Sequence, residues 1–427
     1  MYEIKSIRAR QIFDSRGNPT VECELKTGFG RFVSAVPSGA STGIREAKEL
    51  RDGGKAFGGL GVDNAIRNVN EVLSVAVRGV DCREQRKIDD LLIKEDGTPN
   101  KEKLGANALL SVSLACAKAG AVAKKQELYE YLAELSGRKP SLPVPALNII
   151  NGGKHAGNGI DFQEYQLLPL KFRSFWEAFS AGVEVFQKLK KNLEKKHGKS
   201  AINVGDEGGF APQLNKVEEP LDEILSAVEA CGYAGEMALA MDVAASSFAN
   251  ESDFGTTYNV EGKKISSEAL LNEYEALLGN YTIASIEDPF AESDYASWEK
   301  MMARLGKRVQ IMGDDLTVSQ KRFVEESISK KRANALLLKV NQVGTLSEAI
   351  DSANTAFAAN WGVQVSHRSG ETNDSFIADL SVGLGCGQIK SGAPCRGERL
   401  AKYNRILAIE ENAKLKYTGK SAFPLMK

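Results

Sequence analysis

The feature that most constrains the fold is a unit repeated along the second half of the chain: a short apolar run, an ionisable residue at its end, and then a helix-like segment. ALAMD is followed, after a loop, by SSEALLNEYEALLGNY, ASIED by DYASWEKMMARLG, VQIMGDD by QKRFVEESISKK, ALLLK by TLSEAIDSANTAFAANWG and VQVSHR by DSFIADLSVGLGC, with GQIK closing the series. The tip residues Asp242, Glu287, Asp314, Lys339, His367 and Lys390 are separated by 45, 27, 25, 28 and 23 residues. All but the first interval fit one strand–helix unit, and the first contains NESDFGTTYNVEGKK, which reads as an inserted hairpin. Near-continuous apolar strands alternating with helices indicate a parallel sheet covered on both faces, and this many units in series favour closure into a barrel. An open doubly wound sheet is the competing architecture, but no G-x-G-x-x-G follows a strand, as its dinucleotide-binding form requires. A barrel carries its chemistry at the carboxyl ends of its strands, where all six tips would meet. Any single tip also reads as a solvated residue opening a loop.

The first part of the chain has a different rhythm. IKSIRARQIFDSRGNPTVECELKTGFGRFVSAVP holds three β-rich segments separated by DSRGNP and KTGFG, the pattern of an antiparallel meander. From about residue 42 the apolar spacing becomes helical through IREAKEL, NAIRNVNEVLSVAV, REQRKIDDLLI and GANALLSVSLACAKAGAVAKKQELYEYLAEL. Three prolines in SGRKPSLPVP mark the boundary, so the reading is an α+β amino-terminal domain, 1–138, before a β/α barrel domain, 139–427.

Charge narrows the partners. Lys and Arg total 55 against 56 for Asp and Glu, and this absence of a basic surplus argues against nucleic acid and lipid. No run reaches the ~18 consecutive apolar residues of a membrane span, and MYEIKSIRARQ lacks the apolar centre of a signal peptide. The expectation is a cytoplasmic protein with a small-molecule partner. Six dispersed cysteines without a C-x-x-C pair read as reduced thiols.

Asp242, Glu287 and Asp314 place three carboxylates on consecutive tips, and converging like charges are stable around a cation. Oxygen donors without Cys or His suit Mg²⁺ rather than Zn²⁺, and with only three histidines and no H-E-x-x-H a histidine-rich metal site is excluded. The following tips are cationic, Lys339, Arg368 beside His367, and Lys390, which implies an anionic substrate between metal and cations. Arg368 and Ser369 in HRSGE suit phosphate. Lys339, near Mg²⁺ and a second lysine, is expected to lose its proton easily and to act as a base. Glu207 in NVGDEGGF reads either as the opposing acid or as an ordinary turn residue. His197 reads as a helix-terminal residue, and Trp176, Trp298 and Trp361 as packing residues.

From DSRGNPTVE through PSGASTG, LGANA, NGGKHAGN, NVGDEGGFAP, SIEDPF, GDDLTV, ALLLKVNQ, VSHRSGET and GQIKSGAP to RGERLAKYN, the chain resembles the enolase family along nearly its whole length. Its short loops look more like those of bacterial or archaeal members. The resemblance implies an enolase-type barrel and the reversible dehydration of 2-phosphoglycerate to phosphoenolpyruvate. It implies two Mg²⁺ per site, one on Asp242, Glu287 and Asp314 and a second with Ser41 as a ligand. It further implies Lys339 as base, Glu207 as acid, and Glu164 and His367 beside them. Arg368 and Ser369 would hold phosphate and Lys390 the substrate carboxylate, with His155 and Gln163 completing the pocket. A homodimer follows from the same resemblance, with Arg10 and Glu411 matching a subunit-bridging pair, Ala408 standing where an arginine partner of Glu22 is expected, and octamers as a higher assembly. Some members are displayed at the cell surface and captured by plasminogen-type lysine-binding domains, a role open here to Lys427. Two other readings stay open at this level: a related enzyme acting on another carboxylate, and a binding protein that retains the fold without turnover.

Overall fold

The computed structural model describes residues 1–39, 43–252 and 255–425; Ser41 and Lys427 lie outside the described residues, as does the side chain of His155. The amino-terminal meander is β1 (Ser6–Phe13), β2 (Pro19–Lys26) and β3 (Arg31–Ala35), antiparallel in that order. Alternate residues of β2, Val21, Cys23 and Leu25, are fully buried, as a half-buried strand requires.

Residues 44–50, expected to be helical, are not. Their backbone groups bond distant partners instead: Ala47 N–H donates to the Gln342 carbonyl, Lys48 N–H to Asn100, and the Lys48 carbonyl accepts from Ala106. Tertiary hydrogen bonds replace the local ladder and leave the segment lying over the barrel mouth. The helical run 63–76 contains a π turn, Val69–Leu73. Then come α1 (Gln85–Asp96), α2 (Ala106–Ala123) and α3 (Leu128–Ser136). Although no membrane span was expected, α2 is long and apolar enough to cross a bilayer by length and composition, yet 89% of it is buried within the fold. It packs on β2, β3, α1 and α3, which is why it is apolar all round.

The second domain is a closed eight-stranded barrel of β4 (Val144–Asn151), β5 (Glu164–Pro169), β6 (Met237–Asp242), and, after an insertion, β10 (Ile283–Glu287), β11 (Gln310–Gly313), β12 (Ala335–Leu338), β13 (Gly362–Ser366) and β14 (Gly387–Lys390), which returns to β4. The insertion is β7 (Ala249–Ser252), β8 (Gly255–Val260) and β9 (Lys263–Ser266), a three-stranded meander rather than a hairpin. The barrel departs from the uniformly parallel pattern at β5, which runs antiparallel to both neighbours. No α-helix lies between β4 and β5, and a parallel return needs a crossover, usually helical. The reversal brings the first residue of β5, Glu164, level with the last residue of β6, Asp242.

The outer ring is α4 (Phe175–His197), α5 (Glu219–Ala230), α6 (Ser267–Asn280), α7 (Tyr295–Leu305), α8 (Lys321–Lys330), α9 (Leu346–Ala358), α10 (Phe376–Gly383) and α11 (Gly397–Asn412). His197 ends α4 as expected, beside Glu223. Trp298 and Trp361 are buried, but Trp176 is 63% exposed. In the first turn of α4, Phe175 takes the inward position and the two oxygens of Glu410 accept from the N–H groups of Phe175 and Trp176. All six cysteines are free thiols.

The domains meet at the barrel rim. Ser38 and Gly370 exchange backbone hydrogen bonds, and Ser15 N–H donates to the Glu371 carbonyl. Gly370 is required there, because a Cβ would stand 2.3 Å from Asp14 Oδ2 and 2.7 Å from the Ser38 carbonyl oxygen. Below, Asp89 and Ser113 accept from Ser347 N–H and Leu346 N–H, so amino-terminal side chains cap α9.

Candidate active site

The strand register brings the tips to one level: Glu164 and Glu287 both pair with Asp242, and Ser366 with Lys390. The tips are not solvated loop residues. Asp242, Glu287, Asp314, His367 and Lys390 are all buried. Buried charges must be paired, and the pairing organises the site.

Lys390 Nζ lies 2.7 Å from both carboxylate oxygens of Glu287 and 3.3 Å from Asp242 Oδ2 and Glu164 Oε1. Lys339 Nζ pairs with Asp314 Oδ2, while Gln342 Nε2 donates to Asp314 Oδ1 at 2.8 Å. Asp242 accepts from Ala244 N–H at 3.0 Å and from Gln163 Nε2 at 3.3 Å. Burial, reinforced by Asp242, holds the Glu287 carboxyl well above the usual range, and burial with Glu207 does the same to Glu164. Burial also raises Asp315, to about 8, with Asp314 adding to the effect. Burial works against charge on Asp314 too, but Lys339 outweighs it and the carboxyl titrates lower than usual.

Lys339 departs from expectation in the same way. Burial and the neighbouring Arg368 and Lys390 pull its ammonium down, yet Asp314 in direct contact outweighs them and its pKa is raised. The sequence reading weighed the nearby cations and left out the carboxylate that the fold presses against the lysine.

Around the site Glu164, Glu207, Asp242, Glu287, Asp288, Asp314 and Asp315 outnumber Lys339, Arg368 and Lys390. This carboxylate excess, with oxygen donors predominating, fits a hard divalent cation. Among the described residues, the ligand atoms that lie within 4.8 Å of one another belong to Asp288, Asp314 and Asp315, and to Glu164, Glu207 and His367. Asp242 and Glu287 share Lys390, whereas Asp314 is turned to Lys339.

Glu207 sits on the loop 203–210, which is bridged to β4 through Ile150 and Phe210. Asn148 Nδ2 donates to Glu207 Oε2 at 2.9 Å, and His367 Nε2 is 3.3 Å from the same oxygen. Burial pulls the His367 imidazole down to about 4, so the ring is neutral at pH 7. Arg368 directs Nη1 to Glu46 Oε2 and Asn341 Oδ1, both at 2.9 Å, and Nη2 to Glu46 Oε1 at 3.2 Å.

Gln163, Glu164, Glu207, Asp242, Asp314, Lys339, His367, Arg368, Ser369 and Lys390 thus line one cavity of about 30 Å³, with Glu287 joined to it through Lys390. A larger cavity of about 640 Å³ lies between the meander and residues 371–375, away from these groups. The backbone of His155 forms a short 3₁₀ turn with Gly153 and Lys154. The sequence reading missed Glu46, Asn148, Gln342 and Asp288, whose oxygens accept from Asp314 N–H and Asp315 N–H. Charge accounting points to Glu46, since a buried arginine requires an anion; the amides carry no such signal.

Residues 4–132 match the family described as "Enolase, N-terminal domain", and residues 139–425 match "Enolase, C-terminal TIM barrel domain". A curated protein named "Enolase" from Solanum lycopersicum is 50% identical over 424 residues, 96% of each chain. With both domains matched and half of the residues shared along nearly the full length of that relative, the chain belongs to the enolase family.

Proposed function

We propose that this chain, a lyase interconverting 2-phosphoglycerate and phosphoenolpyruvate, divides the reaction between Lys339 as base and Glu207 as acid. The observation that carries the division is that both groups reach one cavity from different elements, Lys339 from the end of β12 and Glu207 from the loop 203–210, with the carboxylate cluster and the Arg368–Ser369 loop on the same walls. Lys339 would take the proton from carbon 2. It needs its free amine for this, and Asp314 is what keeps it protonated. Were Asp314 to hold a divalent cation, its contact with Lys339 would weaken, while Arg368 and Lys390 favour the free amine. Glu207 would give its proton to the departing hydroxyl on carbon 3. Glu164 lies close enough that the two carboxyls resist double ionisation, which favours retention of a proton in the pair.

Arg368 and Ser369 would receive the phosphate, and Lys390 the substrate carboxylate, with His155, Gln163 and His367 closing the pocket. Enolases work with a divalent metal; two Mg²⁺ are proposed for this chain, one to be held by Asp242, Glu287 and Asp314 and a second with Ser41, which lies outside the described residues, and the excess of buried carboxylates supports a cation there. Bound there, the cations supply the positive charge that stabilises electrons gathering on the substrate carboxylate. The domains are proposed as 1–138 and 139–427; the residues lining this cavity all belong to the second, and Glu46 of the first reaches Arg368. The working unit is proposed to be a cytoplasmic homodimer that brings Arg10 to Glu411 of a second copy; within one chain Arg10 pairs with Glu22.

The test is the ultraviolet absorbance of phosphoenolpyruvate when purified protein meets 2-phosphoglycerate. Product is expected with Mg²⁺ and none with excess chelator. Silence from folded, Mg²⁺-loaded protein would overturn the reading.

A further inference from the structure

Arg399, on α11, is completely buried and belongs to none of the roles above. All four of its Nη–H groups are engaged. Nη1 lies 2.5 Å from His367 Nδ1 and donates to the Arg368 carbonyl at 2.6 Å; Nη2 donates to the Ser369 carbonyl at 2.6 Å and to the Asp206 carbonyl at 3.1 Å. Gly392 makes room for this side chain: a Cβ there would stand 3.0 Å from Arg399 Cδ and 2.6 Å from the Glu207 carbonyl oxygen. One arginine therefore ties together the loop that carries Glu207 and the loop that carries Arg368 and Ser369.

The chemistry of the guanidinium then decides a proton position on the neighbouring ring. Arginine only donates, so the contact with Nδ1 requires a lone pair on that nitrogen. The ring is neutral, and its proton must sit on Nε2. That nitrogen faces Glu207 Oε2 at 3.3 Å, the oxygen that already accepts from Asn148.

We infer that Arg399 is a positioning residue for the acid half of the reaction: it fixes His367 as the Nε2–H tautomer, which turns the ring into a donor toward Glu207 Oε2. With Asn148 donating to Oε2 and Nε2–H of His367 within 3.3 Å of the same oxygen, the transferable proton of Glu207 belongs on Oε1. Protonation on Nδ1 instead would turn the Nε2 lone pair toward the carboxylate and repel it. The inference rests on the reading of Glu207 as acid only for its consequence in turnover; the tautomer stands independently.

The test uses Mg²⁺-loaded enzyme labelled with ¹⁵N in its histidine rings, of which the chain has three, at 155, 197 and 367. Single His155→Asn and His197→Gln variants assign the signals. Long-range ¹⁵N–¹H spectra at neutral pH are expected to show His367 protonated at Nε2 alone. An Nδ1–H ring or an imidazolium in the unaltered protein would overturn the inference without recourse to an Arg399 variant. Arg399→Met is expected to lose the fixed tautomer and to lower kcat for elimination about a hundredfold, with a smaller loss in carbon 2 proton exchange. Arg399→Lys, which retains a donor, should recover part of both signals. A folded Arg399→Met protein with an unchanged His367 tautomer and kcat would also overturn it. Failure of the Glu207 reading is recognised separately, by the exchange-to-elimination ratio of Glu207→Gln.

Discussion

Along β6, β10, β11 and β12 the buried carboxylates are answered by full cations, Lys390 spanning Glu287, Asp242 and Glu164 while Lys339 takes Asp314. Around β4, β13 and the loop 203–210, Glu207 is answered by the Asn148 amide and a neutral imidazole, and the nearby guanidinium is spent on carbonyls and a ring nitrogen. The first side is a charge lattice: its lysines hold the oxygens that the proposed cation would take. The second is a hydrogen-bond lattice that specifies where a proton resides. A reaction that removes a proton at one carbon and adds one at the next oxygen uses both kinds of wall.

Removing the lysine on the charge side should do the most damage. Lys339→Ala is expected to lower both elimination and solvent exchange of the carbon 2 proton by about 10⁴-fold, at the upper end for a lost general base; exchange at a near-normal rate, followed by NMR in deuterated solvent, would remove Lys339 from that role. On the other side, Glu207→Gln should cost about 10²–10³-fold in elimination but leave exchange within about tenfold of normal. Equal collapse of both rates would erase the distinction between the two walls. Glu207 and Asp314 are buried members of ion and hydrogen-bond networks, so stability must be measured alongside.

A third test reads the neutral side through pH. His367 titrates near 4 in the folded protein against 6.5 in the unfolded chain, so between these values the unfolded state binds more protons. Stability from this group is present above pH 6.5 and is lost as pH falls toward 4, about 3 kcal/mol in all. His367→Asn should flatten that part of the unfolding free energy measured against pH; an unchanged slope would show that the ring is not held neutral. The smallest effect concerns the seam that supports both walls. Gly370→Ala forces a methyl against Asp14 and Ser38 and should destabilise the protein by roughly 1–3 kcal/mol, with a higher KM from the displaced Arg368–Ser369 loop. Unaltered thermal unfolding and KM would mean that the seam yields freely.

Much of this was legible because burial leaves a periodic trace. The runs ending in Asp242, Glu287, Asp314, Lys339, His367 and Lys390 are apolar where both sheet faces are covered, and their ionisable ends announced the rim. Strand direction leaves no such trace: YQLLP is as apolar as its parallel neighbours, so the reversal of β5 was invisible. Helical spacing in IREAKEL was real but was overridden by backbone partners more than fifty residues away. The exposure of Trp176 was equally unreadable, because in the first turn of a helix the inward position depends on the entry angle of the chain.

The amino-acid sequence by itself determined the barrel, its strands-then-helices partner and the identity of the ionisable groups at the rim, since these follow from periodicity and residue chemistry. Only the tertiary structure decided their states. Asp314 raises the affinity of Lys339 for its proton, Arg399 determines which nitrogen of His367 carries hydrogen, and Glu46 answers Arg368 across the domain seam. Each is a short-range interaction between residues distant in the chain, and its strength depends on ångström-scale separation in a medium from which water is excluded.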